Sequence, residues 1–272
     1  MKVFVAGLGL IGGSYAEGLT KKGYEVYGYN RTKQSETIAL DRGYIQKAGL
    51  EYLTLSDVVI LGFYPQLNVE FVKTHLNLFR PGQIVTDVAG TKVEMIPQIE
   101  SILPEGVIYV SHHPMAGRET SGIEHANYHM FKGANYLITP SRRSTPEAIE
   151  IIRQIGKDLS FKKITIIEPI RHDKLIGFTS QLPHAMAVAL VNSDRYEETS
   201  SFTGDSFRDL TRIAMINEVL WTELFFENKS ILIDEIQQFE LELDKIKKAL
   251  NENDKDALAK LFIQSTKKRS TF

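Results

Sequence analysis

Cysteine is absent from the 272-residue sequence. Its absence excludes disulfides, thiolate nucleophiles and cysteine-ligated metal sites, and it is consistent with a reducing compartment. A strong excess of one charge is also absent, because 32 basic residues and 34 acidic residues leave a formal net charge of -2. Nucleic-acid partners usually require a basic face, so we expect no such partner.

Long apolar runs are missing as well. Four glycines interrupt the apolar start of the chain, and no uninterrupted apolar run reaches the ~18 residues that a membrane span needs. We therefore expect no membrane partner and a cytoplasmic location. The hydrophobic share of 43% and the charged share of 24% are ordinary for a globular protein. The length is sufficient for about two domains.

Short β-rich runs alternate with longer amphipathic runs in the first part of the chain. The sequence predicts strands at 2–6, 25–29, 57–62, 84–88, 107–111, 136–139 and 163–167. It predicts intervening helices that include 11–22, 68–79 and 146–157. Strands that alternate with helices indicate an α/β fold, here a Rossmann-type, doubly wound parallel sheet.

Helical patterns replace this alternation after Pro169. We therefore predict a domain boundary at residue 168, with an α/β domain at 1–168 and an all-α domain at 169–272. The cleanest helical pattern is an apolar stripe with steps of three and four residues: Ile236, Phe239, Leu243, Ile246 and Leu250. That stripe is buried either in an intramolecular core or in a dimer interface.

A glycine-rich turn follows the first predicted strand. Its sequence fits GxGxxG: Gly7, Leu8, Gly9, Leu10, Ile11 and Gly12. The first glycine permits a tight turn, the second lets the backbone approach a pyrophosphate, and the third allows close packing of helix on strand. Because a strand precedes this turn and a helix and second strand follow it, we predict that it binds a dinucleotide.

The residues after the second predicted strand bear on the choice of dinucleotide. An NAD site usually has an acid there, but this sequence has Asn30, Arg31 and Thr32. An arginine can bind the 2′-phosphate of NADP, whereas Asn30 could instead hydrogen-bond the ribose of NAD. NAD and NADP both remain open, and the arginine favours NADP slightly.

Polar motifs follow two of the other predicted strands. His112 and His113 directly follow the strand predicted at 107–111, and the segment 86–92, which contains Asp87, ends the strand predicted at 84–88. Ligands of open α/β sheets lie at this carboxyl edge. A histidine near the nicotinamide could accept the proton of an alcohol that loses hydride.

The chain resembles the prephenate/arogenate dehydrogenase family in six ordered motifs. These are GLGLIGGS at 7–14, TDVAGTK at 86–92, HPMAGRETSG at 113–122, LPHAMAVAL at 182–190, FRDLTRIA at 207–214, and Trp221. The resemblance implies an NAD(P)-dependent prephenate dehydrogenase of tyrosine biosynthesis, an oxidoreductase that oxidatively decarboxylates prephenate as a homodimer, without a metal. The domain at 1–168 would bind the dinucleotide, and the helical domain at 169–272 would bind the substrate and form the dimer.

The resemblance also implies roles for individual residues. His113 would accept the hydroxyl proton of the substrate, Arg212 would bind a carboxylate, and His184 would be a second substrate contact. Glu119 and Trp221 would lie near the pocket, and Pro65 would join the glycine-rich turn as a cofactor contact. Only one of the adjacent histidines is expected to be catalytic. We interpret His75, His125, His129 and His172 as ordinary polar residues.

One position departs from the family pattern, in which a serine often occupies the place of Gly90. Thr91 is the candidate to supply that hydroxyl, unless the backbone directs it elsewhere. Arg212 could instead pair with Asp209, and Trp221 could belong to the core. The rival functions are arogenate dehydrogenase, a β-hydroxyacid dehydrogenase with a catalytic lysine, and a non-catalytic dinucleotide-sensing module.

Overall fold

A computed structural model describes residues 1–117 and 120–272. Eight strands form one sheet: β1 (Lys2–Ala6), β2 (Glu25–Tyr29), β3 (Lys47–Ala48), β4 (Val58–Leu61), β5 (Ile84–Asp87), β6 (Ile108–Pro114), β7 (Asn135–Pro140) and β8 (Lys163–Ile166). Their order is β3-β2-β1-β4-β5-β6-β7-β8. The chain thus crosses from β3, at one edge of the sheet, to β4, which lies on the other side of β1. This reversal of strand order places the end of β1 at the topological switch point.

Helices cover both faces of this sheet. Those between the strands are α1 (Leu10–Lys21), α2 (Lys33–Asp41), α3 (Pro65–Thr74), α4 (Met95–Ile102) and α5 (Pro146–Asp158). Buried residues of α1, α2 and α5 form one hydrophobic core with the sheet, and those of α3 and α4 form the other. Strands such as β4 are buried along their whole length because both faces are covered. The Rossmann-type fold is confirmed.

We predicted a parallel sheet, but one pair of its strands is antiparallel. β7 pairs antiparallel with β6, and β8 is parallel to β7. The segment between β6 and β7 contains only short 3-10 turns among its described residues. Without a crossover helix the chain returns along the edge of β6 in the opposite direction.

The described chain after β8 contains helices and no strand, as the sequence predicts. These helices are α6 (Pro169–Ile176), α7 (Leu182–Asn192), α8 (Thr199–Phe202), α9 (Asp205–Thr211), α10 (Glu218–Glu227), α11 (Lys229–Asn251) and α12 (Lys255–Arg269). A π-helical segment at Gly177–Gln181 joins α6 to α7, an irregularity that often marks functional sites.

The predicted apolar stripe lies on α11, and its last three members are exposed in the single chain. The exposed fractions are 48% for Leu243, 37% for Ile246 and 60% for Leu250. No intramolecular core covers this half of the stripe. The dimer alternative therefore becomes a proposal about the assembled protein.

Candidate active site

The glycine-rich turn has the geometry that a dinucleotide needs. Gly7 adopts a φ of 96°, in the left-handed region that glycine favours. A Cβ on Gly12 would lie 1.8 Å from the Gly7 carbonyl oxygen, whereas a Cβ on Gly9 would have nothing within 4 Å. Helix α1 begins directly after Gly9 without a side-chain cap. Its N–H groups and the space over Gly9 therefore fit a pyrophosphate.

The end of β2 is tied to this turn by Asn30. Its side-chain oxygen accepts a hydrogen bond from the Leu8 N–H at 3.0 Å, and its own N–H donates to Glu36 Oε1 at 3.0 Å. The buried Glu36 also pairs with Lys33 at 2.8 Å. A carboxylate therefore lies beside the end of β2, although the sequence pattern led us to expect none. Arg31 and Thr32 are exposed.

Pro65 begins α3, just beyond β4. The loop between them starts at Gly62, where a Cβ would lie 2.8 Å from the Gly7 carbonyl oxygen. The loop between β4 and α3 therefore packs closely on the glycine-rich turn, and Pro65 directly follows that loop.

His113 lies near the carboxyl end of β6 and is half-buried. Its Nδ1 lies 3.0 Å from Nε2 of His172, a residue of α6. Burial lowers the pKa of His113 well below its usual value, and His172, Lys92 and His112 lower it further. The imidazole is therefore neutral near pH 7, as a proton acceptor must be.

His112 points into the core, in keeping with the prediction that only one of the adjacent histidines is catalytic. Its ring is fully buried between the Thr86 hydroxyl, 2.6 Å from Nδ1, and the Tyr15 hydroxyl, 2.8 Å from Nε2. Burial lowers its pKa to about 3. Because both ring nitrogens are occupied by buried partners, His112 holds α1 and β5 to β6.

Thr91 does not direct its hydroxyl to His113. The hydroxyl donates a hydrogen bond to Glu227 of α10. Gly90 is the residue beside the histidine, since a Cβ there would lie 3.9 Å from His113 Cε1. The backbone direction thus separates Thr91 from the position that a serine at residue 90 would occupy.

A buried ion pair lies behind the histidines. Lys92 Nζ is 2.8 Å from Asp87 Oδ1 and donates to the His112 carbonyl at 2.7 Å, and both side chains are fully buried. Burial would raise the pKa of Asp87, but Lys92 and a hydrogen bond from Tyr109 lower it overall. Lys92 is committed to this pair, so it lacks the exposure of a catalytic lysine.

Helix α10 brings residues of the helical part of the chain to the loop after β5. Trp221, Leu224 and Glu227 recur every three residues and so share one face of the helix. Leu224 packs beside Gly90, and the Glu227 carboxylate accepts hydrogen bonds from Thr91 and from Gln66. This face of α10 therefore contacts the start of α3, near the glycine-rich turn, and the loop after β5, near His113.

His184 of α7 stacks on Trp221, with ring centroids 3.6 Å apart and an interplanar angle of 27°. Its Nδ1 donates to the Ser180 carbonyl at 2.8 Å. Arg212 is exposed at the start of a 3-10 turn. The structure thus brings His184 and Trp221 together. Glu119 lies outside the described residues.

His172, which we interpreted from the sequence as an ordinary polar residue, lies against His113. It is fully buried, contacts His113, and holds the Asp173 carboxylate at 2.6 Å from its Nδ1. The available signal was two adjacent titratable residues, His172 and Asp173, within a predicted helical region. Glu227 was also missed, because its contact with Thr91 spans 136 residues.

Neither a candidate metal cluster nor a membrane-spanning helix occurs within residues 1–117 and 120–272. They contain no group of three His, Cys, Asp or Glu side chains that could hold a metal ion. None of their helices is both long enough and apolar enough to cross a membrane.

Comparison with known proteins identifies the family. The prephenate dehydrogenase nucleotide-binding domain matches residues 15–164, and the prephenate dehydrogenase dimerization domain matches residues 168–264. The prephenate dehydrogenase of Lactococcus lactis is 31% identical over 98% of this chain and 76% of its own length.

Two solved structures share the whole architecture. Prephenate dehydrogenase from A. aeolicus, in complex with hydroxyphenyl propionate and NAD+, is 27% identical with a TM-score of 0.91, over 100% of this chain and 98% of that one. Synechocystis arogenate dehydrogenase is 26% identical with a TM-score of 0.86, over 100% and 99%. The chain is therefore an oxidoreductase that belongs to the prephenate dehydrogenase family.

Proposed function

We propose that this chain catalyses the NAD(P)-dependent oxidative decarboxylation of prephenate to 4-hydroxyphenylpyruvate. The observation that carries the proposal is the position of His113. A neutral imidazole with one nitrogen anchored stands at the carboxyl end of β6, on the sheet edge that carries the glycine-rich turn. Family membership supplies the substrate class.

The proposed reaction balances without net proton uptake. The C–H bond of the ring carbinol would break, and its electron pair would leave as hydride to the oxidised nicotinamide that the glycine-rich turn would hold. The bond to the ring carboxylate also breaks, CO2 departs, and its electron pair makes the ring aromatic. His113 holds the hydroxyl proton in the transition state and returns it to the phenol oxygen of the product.

The remaining substrate contacts are proposals of the same kind. Arg212 would bind a substrate carboxylate with its forked donors. His184 and Trp221 would form one wall of the pocket, for which their stacked rings provide a rigid surface. Glu119 would lie near the same pocket. For Thr91 we propose a different role, in which it joins the loop after β5 to Glu227.

For the cofactor we propose a nicotinamide dinucleotide on the glycine-rich turn, held by the N-terminus of α1 at Leu10 and Ile11, with Pro65 beside it. Asn30 would orient the turn through Leu8. The exposed Arg31 is the residue able to bind a 2′-phosphate and favours NADP, whereas Glu36 beside the strand end favours NAD.

We also propose a functional division at residue 168, between β8 and α6, and a homodimer in which the helical part forms the interface. The family's dimerization domain and the exposed end of the α11 stripe support this assembly. The cytoplasmic location inferred from composition stays a prediction.

Steady-state turnover with prephenate and with arogenate, each with NAD and with NADP, tests the proposal. The expected result is turnover of prephenate with release of CO2. Preferential turnover of arogenate would establish the alternative substrate with an alanyl side chain. The absence of turnover in all four combinations, despite tight dinucleotide binding, would favour a non-catalytic module.

A further inference from the structure

A line of three side chains runs from Asp173 and His172 of α6 to His113 of β6. Asp173 Oδ1 lies 2.6 Å from His172 Nδ1, and His172 Nε2 lies 3.0 Å from His113 Nδ1. Both His172 and Asp173 are fully buried. His172 uses both ring nitrogens and His113 uses Nδ1, so the proton on each shared hydrogen bond has a defined place.

Asp173 is an acceptor in this arrangement. The Lys92 N–H donates to its Oδ1 at 3.0 Å, and the Val93 N–H donates to its Oδ2 at 2.8 Å. Backbone N–H groups cannot accept, so both Asp173 oxygens are acceptors in these hydrogen bonds. The Asp173 oxygen near His172 is therefore unprotonated, and the shared proton resides on His172 Nδ1.

The proton on Nδ1 of His172 determines the state of its other nitrogen. Burial lowers the pKa of His172, and the hydrogen bond to Asp173 does not fully offset this, so the ring is neutral near pH 7. A neutral imidazole carries one proton. Nε2 of His172 is therefore a bare acceptor, and His113 must supply the proton between them from its own Nδ1.

We infer that His172 and Asp173 are positioning residues that hold His113 in the Nδ1–H tautomer, which leaves Nε2 as the lone pair that meets the substrate hydroxyl. The inference rests on the proposed role of His113 as proton acceptor. In this tautomer His113 accepts at Nε2 without rearrangement. When it becomes imidazolium, His172 still accepts from Nδ1, which stabilises the charge as it forms.

Variants at His172 separate this role from a merely structural one. The amide of His172→Gln can place an acceptor where Nε2 stood, whereas His172→Leu cannot accept. His172→Leu should lower kcat by about ten- to thousand-fold, less than the ~10⁴-fold loss known where a partner imposes the wrong tautomer, with little change in KM for prephenate. His172→Gln should recover at least about a tenth of the wild-type kcat. The exposed His125 provides the matched control, and His125→Leu should behave as wild type.

Nitrogen-15 NMR of histidine-labelled enzyme tests the tautomer directly, in the wild type and without substrate. His113→Asn identifies the His113 signals among those of the seven histidines. We expect neutral His113 to be protonated at Nδ1 and bare at Nε2, to keep this preference in His172→Gln, and to lose it in His172→Leu. A proton on Nε2 of wild-type His113 would overturn the inference, as would a kcat in His172→Leu equal to that of the wild type.

The same experiments distinguish failure of this inference from failure of the proposed function. If His113→Asn turns over as well as the wild type, His113 is not the proton acceptor, whatever its tautomer. If His113→Asn is inactive while His172→Leu is fully active, His113 acts without help from α6. Should His172→Leu fail to fold, the wild-type spectrum and His172→Gln still decide the question.

Discussion

His112 allows a prediction about acid stability that can be worked from its surroundings. The ring is sealed between Tyr15 and Thr86 and stacks on Tyr136, with centroids 4.7 Å apart. Burial lowers its pKa to about 3, whereas a histidine in the unfolded chain titrates near about 6.5. As the pH falls below about 6.5, the unfolded chain binds a proton that the folded chain excludes. The free energy of unfolding is therefore unaffected by His112 above about pH 6.5 and falls progressively as the pH drops toward the folded-state pKa of about 3.

The size of the effect follows from linkage. Between pH 7 and pH 5, His112 alone should reduce the free energy of unfolding by about 2 kcal/mol. His112→Gln removes the titrating ring but keeps hydrogen-bonding capacity. The variant should be less stable than the wild type at pH 7, because buried contacts are lost, yet its further loss between pH 7 and pH 5 should be smaller by about 2 kcal/mol.

Urea unfolding at both pH values measures these differences, provided that the slope with urea stays constant. His125→Gln is the control: its side chain is exposed, so it should show the same pH-dependent loss as the wild type. If His112→Gln also loses as much stability as the wild type between the two pH values, His112 is not the buried neutral group described above.

Three further predictions concern cofactor, substrate and assembly. Arg31→Ala should weaken NADP binding by roughly ten- to hundred-fold and barely affect NAD; equal effects on both, by fluorescence titration, would remove the argument for NADP. Arg212→Ala should raise KM for prephenate by about thirty-fold or more, with cofactor affinity unchanged; lost stability with an unaltered KM would make Arg212 structural. Wild-type enzyme should be a dimer in light scattering and Leu243→Asp a monomer or unfolded, whereas a wild-type monomer at micromolar concentration would contradict the proposed interface.

The parts of the fold that were predicted correctly depend on local sequence. β1, the glycine-rich turn, α1 and β2 follow one another along the chain, and the local pattern of glycines and apolar residues specifies them. The direction of β7 is different, because it depends on how the chain returns after β6 and not on the strand's own residues. Strand propensity gives no indication of strand direction.

The candidate site divides in the same way. The position of His113 at a strand end was predictable because the strand itself was. Its contact with His172 joins residues 59 apart in the sequence, from a strand and from a helix. The carboxylate of Glu36, a residue of α2, accepts a hydrogen bond from the Asn30 N–H at the end of β2. Such contacts depend on how helices pack on the sheet, which no local pattern specifies.

The central claim is that His113 holds the proton of the substrate hydroxyl, and the pH profile of kcat tests it most directly. Because burial and its neighbours lower the pKa of His113, kcat should rise with pH and level off with a midpoint below about 6.5. His113→Asn should lower kcat by roughly 10²–10⁴-fold and remove this acid limb, with little change in KM for prephenate. His112→Gln should retain the limb. An acid limb that persists in His113→Asn would contradict the claim and assign the proton to another group.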